Sequence, residues 1–290
     1  MAQQPTFTLK ALNAMPRPAA AAALAEVFER APWVAEAAGG GVPYPTLAAL
    51  HEAMMKAVRG APAARQLELI RAHPELGSKV ARADLTAASQ SEQGALGLDR
   101  LSDEEYARFQ KLNAAYRVRF GFPFIICVRR HTRDSILRQF ERRLANSVAE
   151  EQDTAINEIG LITRLRLCAL IDGPGKPKTD GRLTTHVLDL ALGRPAQGVH
   201  VALYEIGGSA RGLLIEAITN ADGRTDAPLL TNAPLRIGTY ELVFRLAGYF
   251  TDSSRLFDDA VIRFSIAEPE AHYHVPLLVT PWSYSTYRGS

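Results

Sequence analysis

At 290 residues the chain is longer than one hydrophobic core usually grows, so two domains are the expected organisation. Its composition, 47% hydrophobic and 22% charged, is that of a soluble globular protein, and no run of about 18 uncharged apolar residues is present to span a membrane. A net charge of +2, with Lys and Arg scattered along the chain, leaves no basic patch for nucleic acid.

The opening MAQQPTFTLKALNAMPRP has no positive run ahead of an apolar core, so no secretory signal is expected. Residues 19–170 read as helices. In TLAALHEAMMKAV, Leu47, Leu50, Met54 and Val58 recur at helical spacing, and in SDEEYARFQKLNAAYRVRF the stripe is Tyr106, Phe109, Tyr116 and Phe120. Ser102 and Glu105 have the spacing of a capping box at the start of that second helix. The segment DGPGKPKTDG, 172–181, holds three glycines, two prolines and no large apolar residue, which marks a flexible boundary. Beyond it the period becomes two: Val199, Val201 and Leu203 alternate in GVHVALYEI, and Tyr240, Leu242, Phe244 and Leu246 in TYELVFRLAG. Turn signals such as NADG separate these runs, and SSRLFDD is the one place where a helical turn is expected. The fold class is therefore multidomain, an all-α helical bundle over 1–171, a linker at 172–181 and an all-β sandwich over 182–290. Cys127 and Cys168 stand in separate apolar runs, which suits buried reduced thiols in a cytoplasmic protein.

Several polar residues of the helical half interrupt apolar stripes. Arg166 follows Ile159 and Ile162 on one helix face, and its permanent charge needs an anionic or carbonyl partner there. That partner is either another residue of the domain or a ligand. His73 precedes Pro74 and so belongs at a helix end. Ser89 and Glu92 lie one turn apart in SQSEQ, the pattern of a binding face and equally of a solvated helix start. FGFPFIICV, broken by Gly121 and Pro123, is either core or a place where backbone N–H groups approach a ligand.

As a set, HPELGSK, SQSEQ, LNAAYRVRFGFPFIICV, ERRLAN and EIGLITRLRL closely resemble the OHCU decarboxylase family of purine catabolism, over roughly residues 8–170. The resemblance implies an all-helical, usually dimeric enzyme without cofactor that converts 2-oxo-4-hydroxy-4-carboxy-5-ureidoimidazoline (OHCU) to (S)-allantoin and carbon dioxide. It assigns His73 as proton donor, with Glu92 and Arg166 as the other catalytic residues. Substrate contacts then fall on Pro74, on Ser89, Gln90, Ser91, Glu92 and Gln93, and on the backbone of Phe124, Ile125, Ile126, Cys127 and Val128. Glu75 stands where many relatives carry Asp, and it keeps the charge. A tight pair between Arg166 and the departing carboxylate would favour the ground state, so Arg166 is expected to position, or to bind another group.

In the β half, His186 in RLTTHVLDL is expected on the opening strand with Thr184 and Leu188 on its face, and Arg224 follows the NADG turn. His272 and His274 share a strand face, a spacing open to metal, but no Cys or carboxylate cluster completes a tetrahedral set and no metal is expected. LTTHVLDLALGRPAQGV, TNADGRTD and the closing HYHVPLLVTPWSYSTYRGS together resemble 5-hydroxyisourate hydrolase, the enzyme branch of the transthyretin family, over 182–290. The resemblance implies a tetramer with sites at an interface between copies. His186, Arg224, His274 and Tyr287 then line the site, and Arg288, Gly289 and Ser290 form its rim. It needs no cofactor. Ring opening needs a base for water and donors for an oxyanion, which the two histidines and the Arg224–Tyr287 pair supply; which histidine is the base stays open. The expected product of the β half is the expected substrate of the helical half. The alternative is one active domain, with the sandwich as a ligand-binding or oligomerisation module.

Overall fold

In a computed structural model of the protein, the structure describes residues 6–77, 87–95, 102–208, 210–251 and 255–289, leaving aside the side chains of Ala87, Gln93 and Ala95. The chain folds as two compact units, one formed by residues 1–129 with 136–178 and the other by residues 130–135 with 179–290.

The first unit is helical: α1 (Leu9–Asn13), α2 (Arg17–Ala23), α3 (Pro32–Gly39), α4 (Leu47–Gly60), α5 (Ala63–Arg71), α6 (Ala87–Ala95), α7 (Asp103–Phe120), most of α8 (Arg133–Arg143) and α9 (Val148–Leu170). Two short strands, β1 (Phe7–Thr8) and β2 (Ile171–Asp172), pair in parallel and bring its start and end together. In α4 the buried residues are Leu47, Leu50, Met54 and Val58, the stripe expected from spacing. The capping box of Ser102 and Glu105 opens α7, and Gly121 closes it in the left-handed conformation at φ 74°. Ser147 and Glu150 make a second capping box at the start of α9. In α7, Phe109, Tyr116 and Phe120 are buried with Asn113, while Tyr106 is only half-buried. The segment expected as a flexible linker is tied down in its first half. Leu47 and Ala48 donate their N–H groups to the carbonyls of Pro174 and Gly175 at 2.9 and 3.3 Å, serving donors at the start of α4.

One buried ion pair organises the helical core. Arg143 donates from Nε to Glu151 Oε1 at 2.8 Å, with Arg143 1% and Glu151 0% exposed. Tyr116 OH and Asn146 Nδ2 also donate to this carboxylate, so none of its charge is left to an apolar surrounding. The remaining arm of Arg143 donates from Nη1 to the Ile125 carbonyl at 2.8 Å, and its guanidinium lies over the Phe124 ring. Glu158 accepts from the Cys127 N–H at 2.8 Å. Residues 124–128, which have no sheet to pair with, are thus fixed by side chains of α8 and α9.

The second unit holds β3 (Arg182–Thr184), β4 (Val187–Asp189), β5 (Arg194–Pro195), β6 (His200–Gly207), β7 (Ala210–Ile218), β8 (Gly238–Arg245), β9 (Asp259–Ile266), β10 (His272–His274), β11 (Leu277–Thr280) and β12 (Ser283–Thr286). They form a sheet in the order β7-β6-β8-β9, a sheet in the order β12-β11-β4-β5, and the parallel pair β10-β3. Both four-stranded sheets feed one core, with Val201, Leu203, Leu242 and Phe244 from the first and Val187, Leu277 and Val279 from the second. The opening run is not one strand. It breaks after Thr184, its halves pair in parallel with β10 and β11, and His186 falls in the break, where it bridges to Arg224. The described part of SSRLFDD, from residue 255, carries no helical turn; residues 253 and 254 lie outside the described residues. Among the described residues no helix is long and apolar enough to cross a membrane.

Candidate active sites

The helical unit has a cavity of about 40 Å³ lined by His73, Pro74, Leu76, Ser89, Glu92, Phe124, Ile125, Ile126, Val128, Ile162 and Arg166. His73 sits just past the C-terminus of α5. Its Nδ1 lies 2.9 Å from the Leu69 carbonyl, which only accepts, so Nδ1 carries the proton and Nε2 presents a lone pair. That Nε2 is buried without a hydrogen-bond partner. Burial lowers the pKa of His73 to about 4; the bond to Leu69 and the charge of Glu29 oppose this, and Arg166 adds to it. The imidazole is therefore neutral near pH 7, and as it stands it accepts a proton before it can give one.

Arg166 reaches the same cavity from α9 and is held as a fork. Its Nε donates to Glu92 Oε1 at 3.0 Å and its Nη2 to Glu92 Oε2 at 2.8 Å. Nη1 donates to Glu29 Oε2 at 3.0 Å and Nη2 to Ser89 Oγ at 3.2 Å. Ser89 donates in turn to Glu29 at 3.0 Å. Of the two readings of Arg166 the structure shows the first: its partners are residues of its own unit, and its side chain lines the cavity. Glu92 is engaged by Arg166 with both oxygens. Gln90 and Ser91 are exposed on α6 and do not line the cavity. Neither does Cys127, whose N–H is taken by Glu158, so it is not a free donor to a ligand. The side chain of Gln93 lies outside the described residues. Glu29 was not singled out from sequence; a lone acid between apolar residues in VFERAPW carries no signal until the fold buries it.

The second unit carries an open cleft of about 310 Å³ lined by Arg182, Thr184, Arg224, His272, His274, Tyr287 and Gly289. Parallel pairing of β10 with β3 sets His274 opposite Thr184. The Thr184 hydroxyl lies 2.9 Å from His274 Nδ1 and 2.8 Å from His272 Nε2. With one proton to give, Thr184 donates to one ring and accepts from the other, which links the two tautomers. His272, Thr184 and Arg182 thus join the residues expected from sequence. Burial lowers the pKa of His274, and Arg224, His272 and His186 act in the same direction. The pKa of His186 is likewise lowered, first by burial and then by Arg224. His186 does not line the cleft itself, although its charge acts on His274; its Nε2 is buried without a partner.

The turn before Arg224 is built as its sequence demands. Asn220 Oδ1 accepts from the N–H groups of Asp222 and Arg224, and Gly223 adopts φ 68° with no room for a Cβ beside the Val187 carbonyl. Gly289 has an equally direct reason. Its N–H donates to the His274 carbonyl at 2.8 Å, and a Cβ there would lie 2.5 Å from His274 Cδ2. Arg288 stacks over the Tyr273 ring and does not line the cleft. Ser290 lies outside the described residues. Among the described residues no group of three or more His, Cys, Asp and Glu is placed to hold a metal ion.

Comparison with known proteins separates along the same line. Residues 13–168 match the family described as OHCU decarboxylase, and residues 183–289 the HIUase/Transthyretin family. A 2-oxo-4-hydroxy-4-carboxy-5-ureidoimidazoline decarboxylase of Haloferax volcanii is 41% identical over 161 residues, covering 56% of this chain and 94% of the relative. A 5-hydroxyisourate hydrolase of Deinococcus radiodurans is 52% identical over 113 residues, covering 37% of this chain and 95% of the relative. A crystal structure of (S)-allantoin synthase is similar across 98% of this chain and 100% of that one, at 34% identity and a TM-score of 0.53. The chain belongs to the OHCU decarboxylase family through its helical unit and to the HIUase/transthyretin family through its β unit.

Proposed function

We infer that the chain is a bifunctional enzyme of urate degradation. Its β unit hydrolyses 5-hydroxyisourate to OHCU, and its helical unit decarboxylates OHCU to (S)-allantoin. The observation that carries this reading is that each unit gathers its own histidine-bearing site from the residues its family motif supplies, and that the relatives of the two units are named for consecutive reactions.

In the β site a neutral His274 takes the proton of the attacking water, and Arg224 and Tyr287 hold the oxyanion that forms. In the helical site the C4 carboxylate leaves as carbon dioxide. Its electron pair enters the C4–C5 bond and the imine nitrogen, which takes up a proton. The resulting enol then loses its hydroxyl proton and gains one on a single face of C5. His73, with Nε2 free, suits both halves of that last exchange, accepting the hydroxyl proton and returning it to C5. Ser89, Glu92, Arg166 and the backbone of Phe124, Ile125, Ile126 and Val128 bind and orient the ureide, and no cofactor is required.

The helical domain gives way to the β domain within 172–181, and the second is a two-sheet sandwich. The protein works in the cytoplasm, in keeping with its two buried free cysteines. It assembles as a homo-oligomer through its β unit, a reading supported by exposed Leu213, Leu214 and Ile218 on β7 and Val261 on β9, and by Tyr287, 57% exposed at the cleft.

The test is to generate 5-hydroxyisourate from urate in the cuvette and follow absorbance and circular dichroism. Wild-type protein should give (S)-allantoin, and His73→Ala should halt at OHCU with the first step intact. Racemic allantoin accumulating no faster than without protein would overturn the reading, and loss of both steps in His73→Ala would overturn independent sites.

A further inference from the structure

The helical site contains a carboxylate that does not touch the cavity. Glu29, 2% exposed, lies behind Arg166 and binds both the guanidinium and the Ser89 hydroxyl that share the cavity wall. One guanidinium thus faces two carboxylates, Glu29 and Glu92, across contacts of 2.8–3.0 Å. Four N–H contacts go to Glu92, Glu29 and Ser89, of the five N–H groups a guanidinium carries. The formal charge of the trio is negative, and His73 beside it is neutral. Among the described residues that line this cavity, the one cation a substrate carboxylate meets is Arg166, and it is opposed by two carboxylates.

Glu92 alone would suffice to anchor Arg166, since it makes a two-oxygen contact with the fork. The second carboxylate changes the charge that the fork shows. For a reaction in which the carboxylate disperses its charge as carbon dioxide leaves, a cation held ready for it would stabilise the reactant more than the transition state. We propose that Glu29 is a positioning residue of the decarboxylase, which by binding Arg166 from behind, together with Glu92, keeps that cation from pairing with the carboxylate to be lost. The proposal rests on the decarboxylase reading above.

The test is Glu29→Gln in the full chain, which keeps one oxygen for Arg166 and Ser89, turns the other into an amide donor and removes the charge. With Arg166 less opposed, OHCU should bind more tightly while reacting more slowly, so that KM and kcat fall together, kcat by about tenfold or more. (S)-Allantoin lacks the carboxylate, so its inhibition constant as product should stay within about twofold of wild type. A distorted site would instead raise KM and weaken allantoin. Unchanged kcat, or a KM that rises with it lowered, overturns the proposal while leaving an active wild type and its function in place. Wild-type protein without decarboxylase activity overturns the functional reading and this proposal with it. Should Glu29→Gln not fold by circular dichroism, Glu29→Asp draws the charge back by one methylene. It should lower KM and kcat together by a smaller factor, and a raised KM there overturns the proposal equally.

Discussion

The two sites reach a neutral imidazole from different surroundings. In the helical unit His73 is buried and lines a cavity of about 40 Å³; burial drives its pKa down and a nearby carboxylate, Glu29, pushes back. In the β unit His274 stands on the wall of an open cleft of about 310 Å³; burial again acts first, but Arg224, His272 and His186 add to it rather than oppose it. The first ring is balanced between charges of both signs held at fixed distances. The second has cationic neighbours and a hydroxyl, Thr184, to fix it.

The largest effect that tests this contrast concerns the buried frame of the helical site. Glu151→Ala leaves Arg143 charged and unpaired in the core, where such a loss is worth about 3–5 kcal/mol, and frees the Ile125 carbonyl from a fixed donor. Denaturant unfolding should show that loss, with decarboxylation falling and hydrolysis spared in whatever protein remains folded. Equal loss of both activities would show that the frame does not serve one site alone.

Next in size is Gly289→Ala. The added methyl cannot be placed without moving the His274 ring or the tail, so hydrolysis should drop by about tenfold or more with decarboxylation unchanged. Hydrolysis at the wild-type rate would mean that the tail is free to swing away from His274.

The smallest effect is in pH. His73 and His51 both have pKa values lowered to about 4, in each case first by burial. Their folded values lie below the unfolded value of about 6.5, so the unfolded chain takes up protons first as pH falls. The stability these groups confer is complete above about 6.5 and is lost as pH falls towards 4, by about 1–3 kcal/mol for each. His73→Asn should reduce the fall in melting temperature between pH 6.5 and 5, and an unaltered slope would count against an enclosed neutral ring.

Much of this was legible from sequence wherever the cause is local. The stripe Leu47, Leu50, Met54, Val58 and the capping box Ser102–Glu105 need only helical spacing, and Val199, Val201 and Leu203 need only alternation. His73, Glu92, Arg166, Arg224, His274 and Tyr287 stand in contiguous motifs, and each lines one of the two cavities. What spacing could not supply depends on distant pairing. His186 seemed to lie on a continuous strand because RLTTHVLDL alternates, yet parallel partners on β10 and β11 split that run. Thr184 gains its place between two imidazoles only through that pairing. Glu29 acquires its partners from segments 60 and 137 residues away. Cys127 sits in a motif whose neighbours line the cavity, but its own N–H is claimed by α9.

The parallel clasp of Phe7–Thr8 with Ile171–Asp172 has a further consequence. It sets the first strand of the helical unit beside the strand that follows its last helix, so two segments more than 160 residues apart in sequence are fastened by backbone hydrogen bonds. Fraying at either end of the helical unit is therefore resisted by the other end, and loss of residues 6–8 should loosen the C-terminal turn of α9 as well as the N-terminus.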